Sequence, residues 1–190
     1  VWSPPALPLQ FINYAHAWVS ASLATSARNS VLVVGVSTVI ILALSAPAAY
    51  GLSRGGFRGA GFLTSFFAVG IGIPVQVVLI PLFLMLSGLQ LIDSLVGLAL
   101  VYVSLSLPFT TFLLTGFFRT LPSELEEAAT IDGASRLQTF GLIMLPLAMP
   151  GLITAAILNV VGLWNEFLLA YTFINTNDNY TMPLGIVNMY

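Results

Sequence analysis

The sequence predicts an all-α fold, a polytopic bundle of helices that lives in a membrane. Three observations carry this. Of the 190 residues, 58% are hydrophobic and only 6% are charged, where an ordinary soluble domain carries about 25% charged residues. Residues 29–53, 59–92, 94–118 and 137–165 hold no Asp, Glu, Lys or Arg, and a helix needs about 20 apolar residues to cross the hydrocarbon core. The apolar runs are continuous, whereas a barrel would alternate over strands of about ten residues. Four spans are therefore expected, at about 31–52, 61–87, 95–116 and 147–170.

Each span carries its own marks. The first contains Pro47, the second Gly72, Pro74 and Pro81, and the third Pro108. Every backbone polar group in lipid must find a partner, so each of these interrupts a helical run. Pro74 and Pro81 bracket Gln76, and two readings stand equally for them: kinks that shape a cavity, or prolines tolerated because neighbours satisfy the freed carbonyls. Tolerance is the expectation for Pro47 and Pro108.

Orientation follows from Arg in short loops. Arg54 and Arg58 separate the first two spans, Arg119 and Arg136 separate the last two, and only Arg28 lies on the other side. The arginine-rich face is expected to be cytoplasmic, with both ends of the chain outside. The chain opens on Val1, and its first thirty residues lack the basic region and apolar core of a signal peptide. An earlier span and a later one are therefore expected beyond this sequence. The stretch 171–190, with Asn175, Asn177, Asp178, Asn179 and Tyr180, reads as an outer loop.

Composition excludes several chemistries. All five basic residues are Arg, and a phosphate-cradling loop of the Walker type needs Lys after its glycines. Any nucleotide chemistry belongs to another subunit. One His and no Cys leave no zinc ligand set and no Cys/His nucleophile. A net charge of −2 gives no footprint for nucleic acid.

The loop between the third and fourth spans, 117–146, holds Glu124, Glu126, Glu127 and Asp132. It reads as helix, Gly turn, helix. Ser123 with Glu126, and Ser135 with Gln138, have capping-box spacing. Leu125, Ala128 and Ala129 fall at i, i+3 and i+4, on one face, and the small Ala pair would let another backbone approach closely. Gly133 can adopt positive φ and end the first helix. Two capped surface helices, solubilised by acids, would explain this pattern equally well.

Polar residues within or near the apolar runs are the candidates for a transport pathway: Gln76, Asn159, Trp164, Asn165 and Glu166. Asn159 and Gln76 read first as interhelical glue. Glu166 lies 20 residues after Pro146, roughly 30 Å along a helix. Beside Trp164 and Tyr171 it reads first as an interfacial residue. His16, between Tyr14 and Trp18, reads the same way.

The loop resembles a known family. Glu127-Ala128-Ala129, then Asp132-Gly133, then nine residues to Ile143, then Leu145-Pro146, is similar to the EAA loop of binding-protein-dependent ABC importer permeases. Ile73-Pro74-x-Gln76 ahead of Ile80-Pro81-Leu82-Phe83, Leu107-Pro108-Phe109 ahead of Gly116-Phe117-Phe118, and Trp164-Asn165-Glu166-Phe167 resemble its sugar-importing branch. The resemblance covers roughly residues 10–190 and implies a core of six spans, four of them here.

It also implies a mechanism. The short helix would dock into a cleft on a cytoplasmic ABC ATPase dimer, and closure of that dimer would rock two paired permeases. An external solute-binding protein would then hand over a sugar. Glu127, Ala128, Ala129, Asp132 and Gly133 are the implied docking positions, supported by Leu125, Ile143, Leu145 and Pro146. No cofactor is expected on this chain; ATP and Mg would sit on the ATPase. The second permease would be a different chain. The implied setting is a bacterial or archaeal cytoplasmic membrane. Glycerol-phosphate remains an alternative cargo, although the spans carry no Arg for a phosphate. A channel or scaffold that uses the loop for another partner is the rival from a different class. An intramembrane enzyme is disfavoured, because no His–carboxylate pair or activated nucleophile is present.

Overall fold

The computed structural model describes residue 18, residues 22–54, residue 56 and residues 58–188. His16 lies outside the described residues. No strand occurs among the described residues, and the elements are α1 (Leu23–Arg54), α2 (Ala60–Ile71), α3 (Val75–Gly88), α4 (Leu95–Thr120) and α5 (Glu124–Ile131). They continue as α6 (Arg136–Leu147), α7 (Met149–Trp164), α8 (Leu168–Phe173) and α9 (Met182–Val187). The all-α expectation holds.

α1 and α4 are each long and apolar enough to cross a membrane unaided, and they form the main packed pair. The buried stripe of α1 recurs at helical spacing and is made of small and slender residues: Ser30, Val34, Ser37, Ile41, Ser45 and Ala49. Lipid offers no hydrophobic drive between helices, so close backbone approach and hydrogen bonds hold such pairs. The Thr111 hydroxyl donates to Ser45 Oγ at 3.2 Å. Pro47 and Pro108 sit inside continuous helices, as expected for tolerated prolines. Pro81 is also internal to α3.

Two expected spans are broken. The second, read as continuous over 61–87, is divided into α2 and α3, which bend by 97°. Pro74 takes an extended conformation (φ −61°, ψ 132°) ahead of α3. A residue before proline is pushed away from the α region, so Ile73 cannot continue α2, and the turn closes on Gly72 N–H donating to Val69 O at 3.0 Å. Of the two readings held for Pro74, the break is the one observed. The fourth span, read as 147–170, enters through a 70° bend between α6 and α7, with Pro146 and Pro150 flanking Ala148. It stops at Trp164 and resumes at Leu168.

Two cores lie at opposite ends of the bundle. One gathers Leu98, Val101, Tyr102, Leu169 and Phe173. The other gathers Ala49, Leu114, Phe118, Met144 and Ala148, with Tyr50 and Phe140 packed against it. At the first end the Asn29 amide donates to the carbonyls of Asp178 (2.8 Å) and Tyr180 (3.0 Å). At the second end Arg54 and Arg136 line one cavity. The arginine-rich ends of α1, α4 and α6 therefore share one side, the grouping that the loop charges predict.

Candidate functional site

The candidate site is the elbow formed by α5, Gly133 and α6 at the arginine-rich end. Glu124, Glu126 and Glu127 occupy the first turn of α5, where the helix dipole favours negative charge. Its far end is a full Schellman turn. Gly133 has φ +78°, its N–H donates to Thr130 O at 3.1 Å, and Ala134 N–H donates to Ala129 O at 2.9 Å. A β-carbon at Gly133 would meet no neighbour, so backbone conformation alone asks for glycine there.

One of the two expected capping boxes forms. Ser135 N–H donates to the Gln138 side-chain oxygen at 2.8 Å, and Gln138 N–H donates to Ser135 Oγ at 3.4 Å. The Ser123–Glu126 box does not form. Ser123 is already in the helical region (φ −70°, ψ −25°) and its side chain caps nothing. Glu126 turns instead toward Arg54, with Nε and Oε2 3.7 Å apart, an ion pair whose attraction is strengthened by partial burial of both charges.

The residues expected to dock divide into two sets. Glu127, Ala128, Asp132 and Gly133 are exposed, whereas Ala129 is buried and Leu125 half-buried. The small face read from Leu125, Ala128 and Ala129 is thus split, and only Ala128 of the three stands open to a partner. The inward pair packs toward the body of the elbow, since α5 touches the Thr139–Met144 segment of α6. Sequence reading missed what replaces them outside: Ile131 is 86% exposed and Leu137 83% exposed. Ile131 follows Ala128 by three residues, so the same helical periodicity carried one turn further reaches it.

α6 roots the elbow in the bundle. Its segment Thr139–Met144 is a π-helical turn, a feature that marks functional or strained positions in helices. Met144 and Ala148 are fully buried, and Ile143 and Leu145 pack against the same core; Pro146 remains exposed. At the bend, α7 comes close to α4. A β-carbon on Gly151 would lie 2.6–2.8 Å from the Phe117 ring.

The pathway candidates do not converge. Asn159 is buried, and its amide donates to Thr110 Oγ1 (3.0 Å) and to Ala155 O (2.8 Å). The first of these bonds links α7 to α4. Asn165 is exposed and donates to Val161 O at 2.7 Å. Gln76 is exposed on the first turn of α3, and Trp164 is half-buried. Only Glu166 of the five lines a cavity of about 530 Å³, together with Phe67, Ile73, Tyr102, Ser106 and Pro108. That cavity lies where α2 breaks from α3. Glu166 also holds the second break, taking N–H bonds from Leu169 (2.9 Å) and Ala170 (3.2 Å).

Asp93, unremarked in the sequence, ties together the turns at the end opposite the arginines. Its N–H donates to Phe173 O at 2.7 Å, and its carboxylate accepts from Asn175 N–H, Thr176 N–H and the Thr176 hydroxyl at 3.0–3.1 Å. Among the described residues no group of acids and imidazoles could hold a metal.

Several known proteins resemble this chain. Residues 40–190 match the family described as the binding-protein-dependent transport system inner membrane component. The diacetylchitobiose uptake system permease protein of Streptomyces coelicolor is 40% identical over 186 residues, covering 97% of this chain and 62% of that protein. The trehalose transport system permease protein of Mycobacterium tuberculosis is 36% identical, over 94% of this chain and 65% of its own length. A crystal structure of a bacterial ABC transporter involved in the import of the acidic polysaccharide alginate superposes with a TM-score of 0.84 at 25% identity, covering 97% of this chain and 65% of that one. The chain thus spans somewhat less than two thirds of these relatives. With its broken apolar spans and Gly-hinged elbow, it belongs to the family of inner-membrane components of binding-protein-dependent transport systems.

Proposed function

We propose that the chain is the permease subunit of an ABC importer, moving a carbohydrate inward by alternating access. A separate cytoplasmic ATPase dimer grips the elbow, a second permease pairs with the bundle, and an external binding protein delivers the sugar. ATP and Mg belong to the ATPase, and the arginine-rich end faces the cytoplasm of a bacterium or archaeon. The observation that carries this reading is the elbow itself: Glu127, Ala128, Ile131 and Asp132 stand open on a short helix, hinged at Gly133 and rooted in the core through Met144. The names of the relatives, an uptake and a transport system for sugars, support the cargo class.

Magnitudes favour a joint over a motor. Burying Ile131 against a partner contributes about 1.5–3 kcal/mol, and a charged hydrogen bond from Glu127 about 1.5–3 kcal/mol. Driving a two-state transporter from 1:99 to 99:1 takes about 5.5 kcal/mol of differential binding. One elbow barely reaches that figure, so nucleotide supplies the free energy and the elbow conveys it. The lining of the large cavity includes no Arg or Lys and one carboxylate, Glu166, which favours a neutral sugar over glycerol-phosphate.

The test is reconstitution with ATPase and binding protein. Glu127→Lys or Gly133→Val should leave the chain inserted in the membrane but uncouple transport. Normal ligand-stimulated ATP hydrolysis in either variant contradicts the docking role.

A further inference from the structure

Arg54 ends α1 and sits at the meeting point of three elements. Its Nη2 donates to Phe118 O at 3.0 Å and also to Leu121 O. These are carbonyls at the C-terminal end of α4, where the helical ladder runs out; Phe118 O also takes the Leu121 N–H at 3.3 Å. A cation there also suits the negative end of the helix dipole. On its other side the guanidinium faces Glu126 of α5 across 3.7 Å, with the two side chains only 16% and 22% exposed. One turn back on α1, the Tyr50 ring lies edge-on to Phe118 at 5.7 Å and against Phe140 of α6 at 5.0 Å. One short stretch of α1 therefore touches α4 and both arms of the elbow.

The joint is not fully closed. Arg54 Nε and Glu126 Oε1 are buried without a hydrogen-bond partner, and the pair stands about 1 Å beyond a charge-assisted hydrogen bond. Beside it lies a cavity of about 320 Å³ lined by Tyr50, Gly51, Arg54, Glu126, Thr130 and Arg136. Buried polar atoms left unmatched are costly, and the adjoining cavity gives the pair room to shorten.

We infer that Arg54 is a positioning residue that couples the elbow to the ends of the first and third spans, so that displacement of α5 moves α1 and α4 with it. The inference rests on the reading of the elbow as the ATPase-docking joint. Glu126 is its partner in this role and not a docking residue; it faces inward where Glu127 faces out.

The experiment uses the whole complex in proteoliposomes and reads sugar moved per ATP hydrolysed. Arg54→Lys keeps the charge but loses the fork that spans carbonyls and carboxylate. Glu126→Gln keeps shape and leaves the carbonyl contacts of Arg54 intact. Each should lower the ratio about tenfold, within the range of an allosteric coupling free energy, at unchanged yield of assembled complex. The double variant should be no worse than the poorer single one, because both remove the same link. A wild-type ratio in either single variant, or losses that multiply in the double, overturns the inference. Glu127→Lys run alongside separates the two claims. If it uncouples while Arg54→Lys behaves as wild type, the strut alone fails; if it retains ligand-stimulated hydrolysis, the docking reading fails.

Discussion

Tyr102 and Glu166 meet across the break in the fourth span, the Tyr102 hydroxyl donating to the Glu166 carboxylate at 3.3 Å. The same carboxylate takes the Leu169 and Ala170 N–H groups, two of the donors that the start of α8 cannot satisfy internally. Glu166 thus serves as an N-terminal cap for a half-helix and as the charged wall of the large cavity.

Removing that cap should loosen the outer half-helix. Glu166→Ala is expected to cost about 1–2 kcal/mol, the range for lost caps. Glu166→Gln, which keeps one acceptor oxygen, should cost less. Thermal unfolding of the detergent-solubilised chain measures both, and equal stability of wild type and Glu166→Ala would contradict the capping role.

Gly151 is held to glycine by the Phe117 ring beside it. Gly151→Ala should destabilise by about 1–3 kcal/mol, as overpacking does. Adding Phe117→Leu should recover part of the loss by opening space. The comparison of unfolding midpoints for the single and double variants checks this, and an unperturbed Gly151→Ala would show that α7 can shift freely.

Asn159 should matter to packing and not to cargo. Interhelical hydrogen bonds in membranes contribute about 0.6 kcal/mol on average, so Asn159→Ala should weaken unfolding stability by that order and leave the transport KM unchanged. A large change in KM at normal stability would place Asn159 in the pathway.

Acid should loosen the outer clasp. Burial pushes the Asp93 carboxyl up, but bonds donated by the Asn175 and Thr176 N–H groups, the Thr176 hydroxyl and the Asn179 amide outweigh it and hold the group below its ordinary 3.8. A depressed folded pKa contributes stability that is fully present above the unfolded value and is lost as pH falls through the folded one. The stability difference between wild type and Asp93→Asn should therefore be constant above pH about 4–5 and shrink below it. Unfolding midpoints across pH 3–7 test this, and a gap that widens on acidification would reverse the sign.

Much of this architecture is legible in the residues. Charge-free runs locate α1 and α4 because lipid solvation admits almost no other pattern. Gly133 and the Ser135–Gln138 pair announce the hinge, since local backbone chemistry decides them. The break at 165–167 is not legible. Trp164-Asn165-Glu166 looks like an interface anchor, and only the N–H bonds from Leu169 and Ala170 show that the carboxylate serves a half-helix. Ser123 with Glu126 has correct box spacing, yet Arg54, 72 residues earlier, takes the carboxylate. The π-helical turn likewise depends on how α6 meets the core. Short-range signals give way wherever a distant charge or a packing constraint offers a larger gain.

The central claim is that a separate ATPase grips the elbow. The chain contains no Cys, so Ala128→Cys and Ile131→Cys each carry a single thiol. In the assembled complex both thiols should be shielded from a membrane-impermeant maleimide and should crosslink to the ATPase. Labelling of both at the rate of the isolated chain, in a complex that still transports, would contradict the account.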